Sequence, residues 1–181
     1  MQQARGVKSR RTRLILVAGG AASGKSVKAL KLAGRSAPRG FIATGQPLDE
    51  EMAARIRRHQ ASRGSGWETA EVPIDVAKWF RENQGRYRTL VLDCLTLWVS
   101  NLSASGVPES EVLRLVDELL DAVRCMRGRV VMVTNELGMG IVPVDPATRQ
   151  FRNLAGQVNQ LIAQEADEVH LVICGLSVRL K

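Results

Sequence analysis

Aromatic residues, cysteines and histidines are scarce in this chain of 181 residues. Phe, Trp and Tyr make up 4%, and there are 3 cysteines and 2 histidines. An odd cysteine count without a CxxC pair indicates neither a disulfide framework nor a zinc site. Cys94 and Cys174 each end an apolar run, and we expect both thiols to be buried. The apolar runs themselves, such as Leu14 to Ala18, are far shorter than the roughly 18 residues of a membrane helix. These absences predict a soluble, cytoplasmic protein.

Acidic residues are absent from the stretch that ends at Arg13, which carries five basic residues: Arg5, Lys8, Arg10, Arg11 and Arg13. The net charge is +8, and without these five the chain has 21 basic and 18 acidic side chains, a net charge of +3. We expect residues 1–12 to be a disordered, solvated extension before one domain at 13–181. A nucleic-acid arm is the alternative, although no aromatic residue interleaves with the basic ones. We expect no signal peptide, because the next apolar stretch runs directly into a glycine-rich motif.

Short β-branched runs alternate with helical stretches along the rest of the chain. We predict strands at Leu14–Ala18, Gly40–Thr44, Thr69–Val72, Thr89–Asp93, Val130–Thr134, Glu168–Cys174 and Ser177–Leu180. Helices are predicted at Gly24–Leu32, Leu48–Arg63, Asp75–Asn83, Glu109–Arg127 and Pro146–Ala166. The pattern predicts an α/β domain with a mainly parallel sheet and helices on both faces. Ligands bind such sheets beyond the carboxyl ends of the strands, so the loops after Ala18, Thr44, Asp93 and Thr134 should meet at one site.

A phosphate-binding motif follows the first predicted strand and opens the first predicted helix. It fits GxxxxGK[ST] in full and consists of Gly19, Gly20, Ala21, Ala22, Ser23, Gly24, Lys25 and Ser26. In such a P-loop, backbone N–H groups and the helix N-terminus surround the phosphates. Lys25 is expected to reach the β- and γ-phosphates, and the Ser26 hydroxyl to bind Mg²⁺. A glycine-rich turn without a ligand is the alternative, which the strand before and the helix after the motif disfavour.

Asp93 closes the apolar strand predicted at Thr89–Asp93 and is our candidate for the acid that supports Mg²⁺. A carboxylate at that position is costly without a partner. The alternative is that it caps a helix beginning at Cys94. No DxxG begins at Asp93, and the residues Thr134 to Leu137 are not an NKxD motif. A small-molecule kinase or transferase is therefore favoured over a Ras-like GTPase.

One of the two histidines, His59, lies between two arginines at helical spacing. Arg55, His59 and Arg63 share a helix face, while Met52 and Ile56 are expected to pack inward. Neighbouring guanidinium groups favour a neutral imidazole, which can act as a nucleophile, and they can stabilise a phosphoryl group. A solvated surface face remains the alternative, since the spacing alone does not establish a nucleophile. His170 lies inside a predicted strand, and we expect it to be structural.

These motifs together resemble the bifunctional adenosylcobinamide kinase / adenosylcobinamide-phosphate guanylyltransferase family. The matching stretches span nearly the whole chain after the basic extension: 19–26, 42–63, 67–71, 90–102, 130–143 and 151–176. The R-I-x-x-H-x-x-x-R run at 55–63 and the N-E-x-G-x-G-I-V-P loop at 135–143 are the most specific of them. Position 58 is Arg, where some relatives place a second histidine, so His59 is the less ambiguous nucleophile here.

The resemblance implies two reactions and a set of site residues. A nucleoside triphosphate phosphorylates adenosylcobinamide, and GTP then guanylylates His59, from which the cobinamide phosphate takes GMP. Family nucleotide contacts fall on the P-loop and on Thr44, Gly45, Gln46, Gln60, Ala61, Ser62, Arg63, Glu71 and Asp93. The resemblance implies a RecA-like α/β fold and a homotrimer with sites near the subunit interfaces. It also implies that Mg²⁺ binds together with ATP or GTP. Two alternatives remain: a kinase-only relative and a nucleic-acid-dependent RecA-like ATPase. The small number of aromatic residues and the nearly neutral charge of the chain after Arg13 disfavour the ATPase.

Overall fold

Strands and helices alternate in a computed structural model that describes residues 12–47 and 49–181, the side chains of Arg55 and Ser62 excepted. The strands are β1 (Arg13–Gly19), β2 (Arg39–Ala43), β3 (Glu68–Glu71), β4 (Thr89–Asp93), β5 (Arg129–Asn135), β6 (Glu168–Ile173) and β7 (Leu176–Arg179). The helices are α1 (Lys25–Ala33), α2 (Glu50–Ser62), α3 (Val76–Glu82), α4 (Leu95–Ala104), α5 (Glu109–Arg124) and α6 (Pro146–Glu165). The predicted N-terminal extension lies, apart from Thr12, outside the described residues.

All seven strands form one sheet in the order β3-β2-β4-β5-β1-β6-β7. The first six are parallel, and β7 pairs antiparallel with β6. The strand that leads into the P-loop, β1, lies between β5 and β6 and therefore has a hydrogen-bonded neighbour on each side. The α/β class with a mainly parallel sheet is thus confirmed.

Successive side chains of a strand point to opposite faces of the sheet, and helices cover both faces. Leu14 and Leu16 of β1 join the core formed with α3, α4, α5 and α6, whereas Ile15 and Val17 join a smaller core formed with α1. The described side chains of α2 contribute to neither core. Met52 and Ile56 of this helix instead line a cleft between α2 and the carboxyl ends of the strands. Among the described helices, none is both long enough and apolar enough to cross a membrane.

Two features differ from the sequence-based predictions. Helix α4 begins after Cys94 and was not among the predicted helices, although the capping alternative for Asp93 assumed a helix at this place; its buried face includes Leu95, Trp98 and Leu102. The expectation of a buried Cys174 thiol is wrong, whereas Cys94 is buried as expected. β6 ends at Ile173, and Cys174 adopts a left-handed conformation (φ 52°) in the turn to β7, which exposes its side chain.

Candidate active site

The P-loop connects the end of β1 to the start of α1, as its motif predicts. Gly24 takes φ 93°, a backbone conformation that favours glycine, immediately before the first helical residue. A Cβ atom at Gly19 would lie 2.5 Å from the Val172 carbonyl oxygen, so this position has no room for a side chain. The turn after β6 supports the loop as well, because the Gly175 N–H donates to the Ser23 carbonyl over 2.9 Å. The conformation of the P-loop is therefore stabilised by contacts with both β6 and the β6–β7 turn.

Lys25, Ser26 and Asp93 lie together at the mouth of the P-loop. Lys25 is only 8% exposed, and its Nζ donates to the Gly20 carbonyl over 2.8 Å. The Ser26 hydroxyl donates to Asp93 Oδ2 over 3.2 Å. Asp93 does not cap α4; the sulfur of Cys94 does so, accepting from the Leu97 N–H. The capping alternative for Asp93 is thus wrong, and its carboxylate faces the phosphate site.

His59 projects from α2 toward the same carboxylate. Its Nδ1 lies 4.0 Å from Asp93 Oδ2, and the imidazole is 46% exposed whereas the Asp93 side chain is 15% exposed. The histidine therefore stands between the solvent and the P-loop rather than on a face directed away from the protein. The interpretation of this residue as part of a merely solvated surface does not fit its position.

The carboxyl group of Asp93 is perturbed by its surroundings. Burial raises its pKa, and His59, the Ser26 hydroxyl, Lys25 and Arg63 oppose this effect. Because the folded pKa is above the ordinary value, the protein binds this proton more tightly when folded. Its contribution to stability is therefore largest at acidic pH and is lost as the pH rises through the folded pKa. A buried carboxylate held at neutral pH against this cost is typical of a functional site.

Arg63 ends α2 and anchors it to the sheet. Its Nε donates to the His59 carbonyl over 3.2 Å, and another guanidinium nitrogen donates to the Thr69 hydroxyl over 3.1 Å. The guanidinium carbon lies 3.8 Å from the centre of the Phe41 ring. Burial lowers the pKa of Arg63, and Asp93 opposes the shift. Arg63 thus lies beside the candidate nucleophile, as predicted, whereas the side chain of Arg55 is outside the described atoms.

The space between α2 and the sheet is a cleft of about 130 Å³. Its lining includes Lys25 and Ser26 after β1, Gly45 after β2, Asp93 at the end of β4 and Asn135 at the end of β5. The prediction that these loops meet at one site is confirmed. Met52 and Ile56 of α2 face inward as predicted, but they line the cleft and belong to neither core.

Several predicted nucleotide contacts lie outside the lining of this cleft. Gln46, Gln60, Ala61 and Glu71 are not among the residues that surround it, and Glu71 is an exposed residue at the end of the edge strand β3. Thr44 is buried, and its hydroxyl donates to the Cys94 carbonyl and accepts from the Cys94 N–H. Nucleotide contacts at these positions stay predictions; the side chain of Ser62 is outside the described atoms.

Other cleft residues were not singled out as site residues by the sequence analysis. Asn135, Phe41 and Leu97 line the cleft, and Asn101 of α4 donates to the carbonyl groups of Thr44 and Pro73 over 2.8 and 3.0 Å. A sequence motif could have identified Asn135, since this residue begins the N-E-x-G-x-G-I-V-P loop. No motif marks Asn101, because its hydrogen bonds depend on the packing of α4, which was not among the predicted helices.

The donor set at the P-loop suits Mg²⁺. Ser26 and Asp93 present a hydroxyl and a carboxylate oxygen side by side, and Mg²⁺ is usually held by one or two carboxylates together with phosphate oxygens and water. These oxygens fit the predicted ion, with the remaining ligands supplied by the nucleotide.

The substitution Asp93→Asn should separate catalysis from stability. We expect it to lower Mg²⁺-dependent activity by about 100-fold, since an amide is a poor ligand for this ion. The melting temperature of the nucleotide-free protein at neutral pH should hold or rise, because burying an amide avoids the cost of a buried carboxylate. Mg²⁺ titrations of activity and thermal melts measure the two effects. A collapsed melting temperature with unchanged Mg²⁺ dependence would assign Asp93 a structural role.

Comparison with known proteins identifies the family of the chain. Residues 15–180 match the family model described as cobinamide kinase / cobinamide phosphate guanyltransferase. The chain is 41% identical over 180 residues to the bifunctional adenosylcobalamin biosynthesis protein CobU of Salmonella typhimurium, covering 93% of this chain and 99% of that protein. It is 39% identical over 170 residues to CobP of Pseudomonas aeruginosa, a protein of the same description, covering 92% and 96%.

A solved structure of lower similarity supports the fold alone. An ATPase from the type III secretion system of pathogenic bacteria superposes with a TM-score of 0.57 at 17% identity, covering 92% of this chain and 56% of that one. The two chains therefore share the α/β fold, and no function is inferred from this likeness. Because the family model matches residues 15–180, nearly the whole of this chain, the chain belongs to the cobinamide kinase / cobinamide phosphate guanyltransferase family.

Proposed function

We propose that this protein catalyses two consecutive reactions of cobalamin biosynthesis in the cytoplasm. It phosphorylates adenosylcobinamide with ATP or GTP and then transfers GMP from GTP to adenosylcobinamide phosphate, which gives adenosyl-GDP-cobinamide and pyrophosphate. The observation that carries the proposal is the position of His59 beside Asp93, which in turn accepts a hydrogen bond from Ser26 of the P-loop. A candidate nucleophile and a triphosphate-binding loop thus share one cleft.

The first reaction needs the P-loop but no covalent intermediate. Backbone N–H groups of Gly19 to Ser26 and the Lys25 ammonium group hold the triphosphate and offset its charge. The hydroxyl oxygen of adenosylcobinamide attacks the γ-phosphorus, a P–O bond forms, and the bond to the leaving nucleoside diphosphate breaks. When bound at Ser26 and Asp93, Mg²⁺ supplies further neutralisation of the phosphate charge. The protein mainly positions the reactants and stabilises charge.

The second reaction uses His59 as a nucleophile. An imidazole nitrogen attacks the α-phosphorus of GTP, an N–P bond forms, and the bond to pyrophosphate breaks. A phosphate oxygen of the acceptor then attacks the same phosphorus, and the N–P bond breaks to regenerate the imidazole. Since Nδ1 is the nitrogen that faces Asp93, we assign the attack to Nε2, with the proton of the imidazolium released toward the carboxylate side. Arg63 lies close enough to offset charge on the transferred phosphate.

We also propose that the protein works as a homotrimer. Large apolar side chains are exposed in two parts of the chain: Ile141 (97%) and Val144 (95%) in the loop before α6, and Leu176 and Val178 in the edge strand β7. Exposed apolar surface of this kind marks interaction sites in soluble proteins. An edge strand with apolar side chains also requires cover to avoid aggregation. Sedimentation equilibrium measures the assembly, and a monomer at micromolar concentration contradicts it.

The intact mass after incubation with GTP and Mg²⁺ tests the proposed function. We expect one guanylyl group per chain, in an adduct that is labile in acid and stable in base, because protonation of the nitrogen makes imidazole a good leaving group. Adding adenosylcobinamide phosphate should discharge the label. An unlabelled chain that still phosphorylates adenosylcobinamide would identify a kinase-only relative.

A further inference from the structure

A second cavity adjoins the cleft on the outer side of α1. It is a groove of about 550 Å³ between α1, the end of α2 and the start of β2. We name it the basic groove and define it by Lys31, Arg35, Arg39, Arg63 and Trp67. A volume of this size is in the range of small-molecule sites. None of the predicted functions of the P-loop accounts for it.

The groove has a strong excess of positive charge. Lys31, Arg35, Arg39 and Arg63 line it together with His59, and no described Asp or Glu does so. Lys31 and Arg35 are exposed and form no ion pair with any described residue. Arg39 lies 4.9 Å from the centre of the Trp67 ring and donates to the Ser65 carbonyl over 3.1 Å. Four like charges around one concavity repel one another unless an anion occupies it.

The groove adjoins the active-site cleft. Ser26, His59 and Arg63 line both cavities, so a ligand in the groove lies beside the candidate nucleophile. Arg63 is held at the junction by its bonds to the His59 carbonyl and to Thr69. Lys31 and Arg35 are the exposed cations of the groove, and Arg63 and His59 are the residues that it shares with the cleft.

The positive charge of the groove indicates which anionic group among the substrates it can bind. The triphosphate of the nucleotide already has its own cations and N–H groups in the P-loop, and the guanosine part of GTP is neutral. A phosphomonoester carries about 1.5 to 2 negative charges near neutral pH. The acceptor phosphate must reach the phosphorus carried by His59, and His59 lines the groove beside its four cations. We propose that the basic groove binds the phosphate of adenosylcobinamide phosphate, a proposal that rests on the proposed function.

The groove variants Lys31→Ala, Arg35→Ala and their double mutant test this assignment, with Arg127→Ala as a control on the exposed end of the α5–β5 connection. Enzyme already guanylylated with GTP is mixed with increasing adenosylcobinamide phosphate, and discharge of the label is followed. The concentration for half-maximal discharge should rise roughly tenfold in the double mutant and stay within about twofold in Arg127→Ala. The KM for unphosphorylated adenosylcobinamide and the rate of labelling by GTP should stay within about twofold in every variant.

Three results would overturn the assignment. Slower labelling by GTP with an unchanged requirement for the acceptor phosphate would show that the groove holds the nucleotide. Equal increases for the phosphorylated and unphosphorylated acceptors would show that it holds the corrinoid body instead of the phosphate. No change in the double mutant would show that it holds neither. A wild-type chain that takes no label from GTP is a different outcome, since it refutes the proposed function itself and the groove assignment with it.

Discussion

Replacing His59 by alanine will abolish the guanylyl adduct and lower guanylyl transfer by at least about 10³-fold, because the variant has no nucleophile at the mouth of the P-loop. Phosphorylation of adenosylcobinamide should largely persist, since that reaction requires Lys25, Ser26 and the P-loop backbone but no covalent intermediate. Intact-mass measurement after incubation with GTP and Mg²⁺ follows the adduct, and separate assays follow the two overall reactions. The split between the activities is the decisive readout, because a folding defect would reduce both.

Two neighbouring substitutions calibrate the His59→Ala result. Arg58→Ala changes an exposed side chain next to His59 on α2, and labelling should stay normal. Arg63→Ala should slow labelling without eliminating it, because it removes a charge partner and leaves the nucleophile. An adduct that survives in His59→Ala, or that maps to Lys25 or His170, contradicts the mechanism.

Replacing Lys25 by alanine should abolish both reactions. Lys25 is buried beneath the P-loop beside Gly20, where its ammonium group offsets the charge of whichever triphosphate is bound. Losing such a contact costs about 3–4 kcal/mol at the transition state, or roughly 10²- to 10³-fold in rate. Initial rates of phosphorylation and of labelling by GTP measure the two effects.

The matched control is Lys28→Ala, which removes another lysine of α1 that does not line the cleft. Its two activities and its melting temperature should resemble those of the wild type. If Lys25→Ala retains either reaction at a near-normal rate, the two reactions do not share one triphosphate site, and the single-cleft interpretation fails.

The strands of the sheet and the place of the P-loop could be predicted because the sequence pattern at each of them is pronounced. Apolar runs such as Thr89–Asp93 and Val130–Thr134 became buried parallel strands, and the P-loop motif lay between a strand and a helix. Helix α4 was not among the predicted helices although Leu95, Trp98 and Leu102 recur at helical spacing. Only Cys94 separates it from β4, so the apolar residues of the strand and those of the helix follow one another almost without a break in the sequence.

The candidate site was predictable where a residue type and its place in the fold both pointed to the same chemistry. Lys25, Ser26 and Asp93 follow from the motif and from the end of a strand, and the structure brings them together. The position of His59 near Asp93 was not predictable from helical spacing, because it depends on how α2 lies over the sheet. The basic groove was equally hidden, since Lys31, Arg39 and Trp67 belong to three different elements and look like ordinary surface residues in the sequence.

The central position of β1 has a consequence for the order in which the protein is made. The ribosome delivers β1 and the P-loop early, yet both neighbours of β1 in the sheet, β5 and β6, come from residues 129–173. The turn that supplies the Gly175 N–H to Ser23 is synthesised later still. Until these segments emerge, β1 has no strand to pair with, and its apolar side chains have no complete core to enter. A nascent chain therefore carries the whole phosphate-binding motif long before it has a place to bind phosphate.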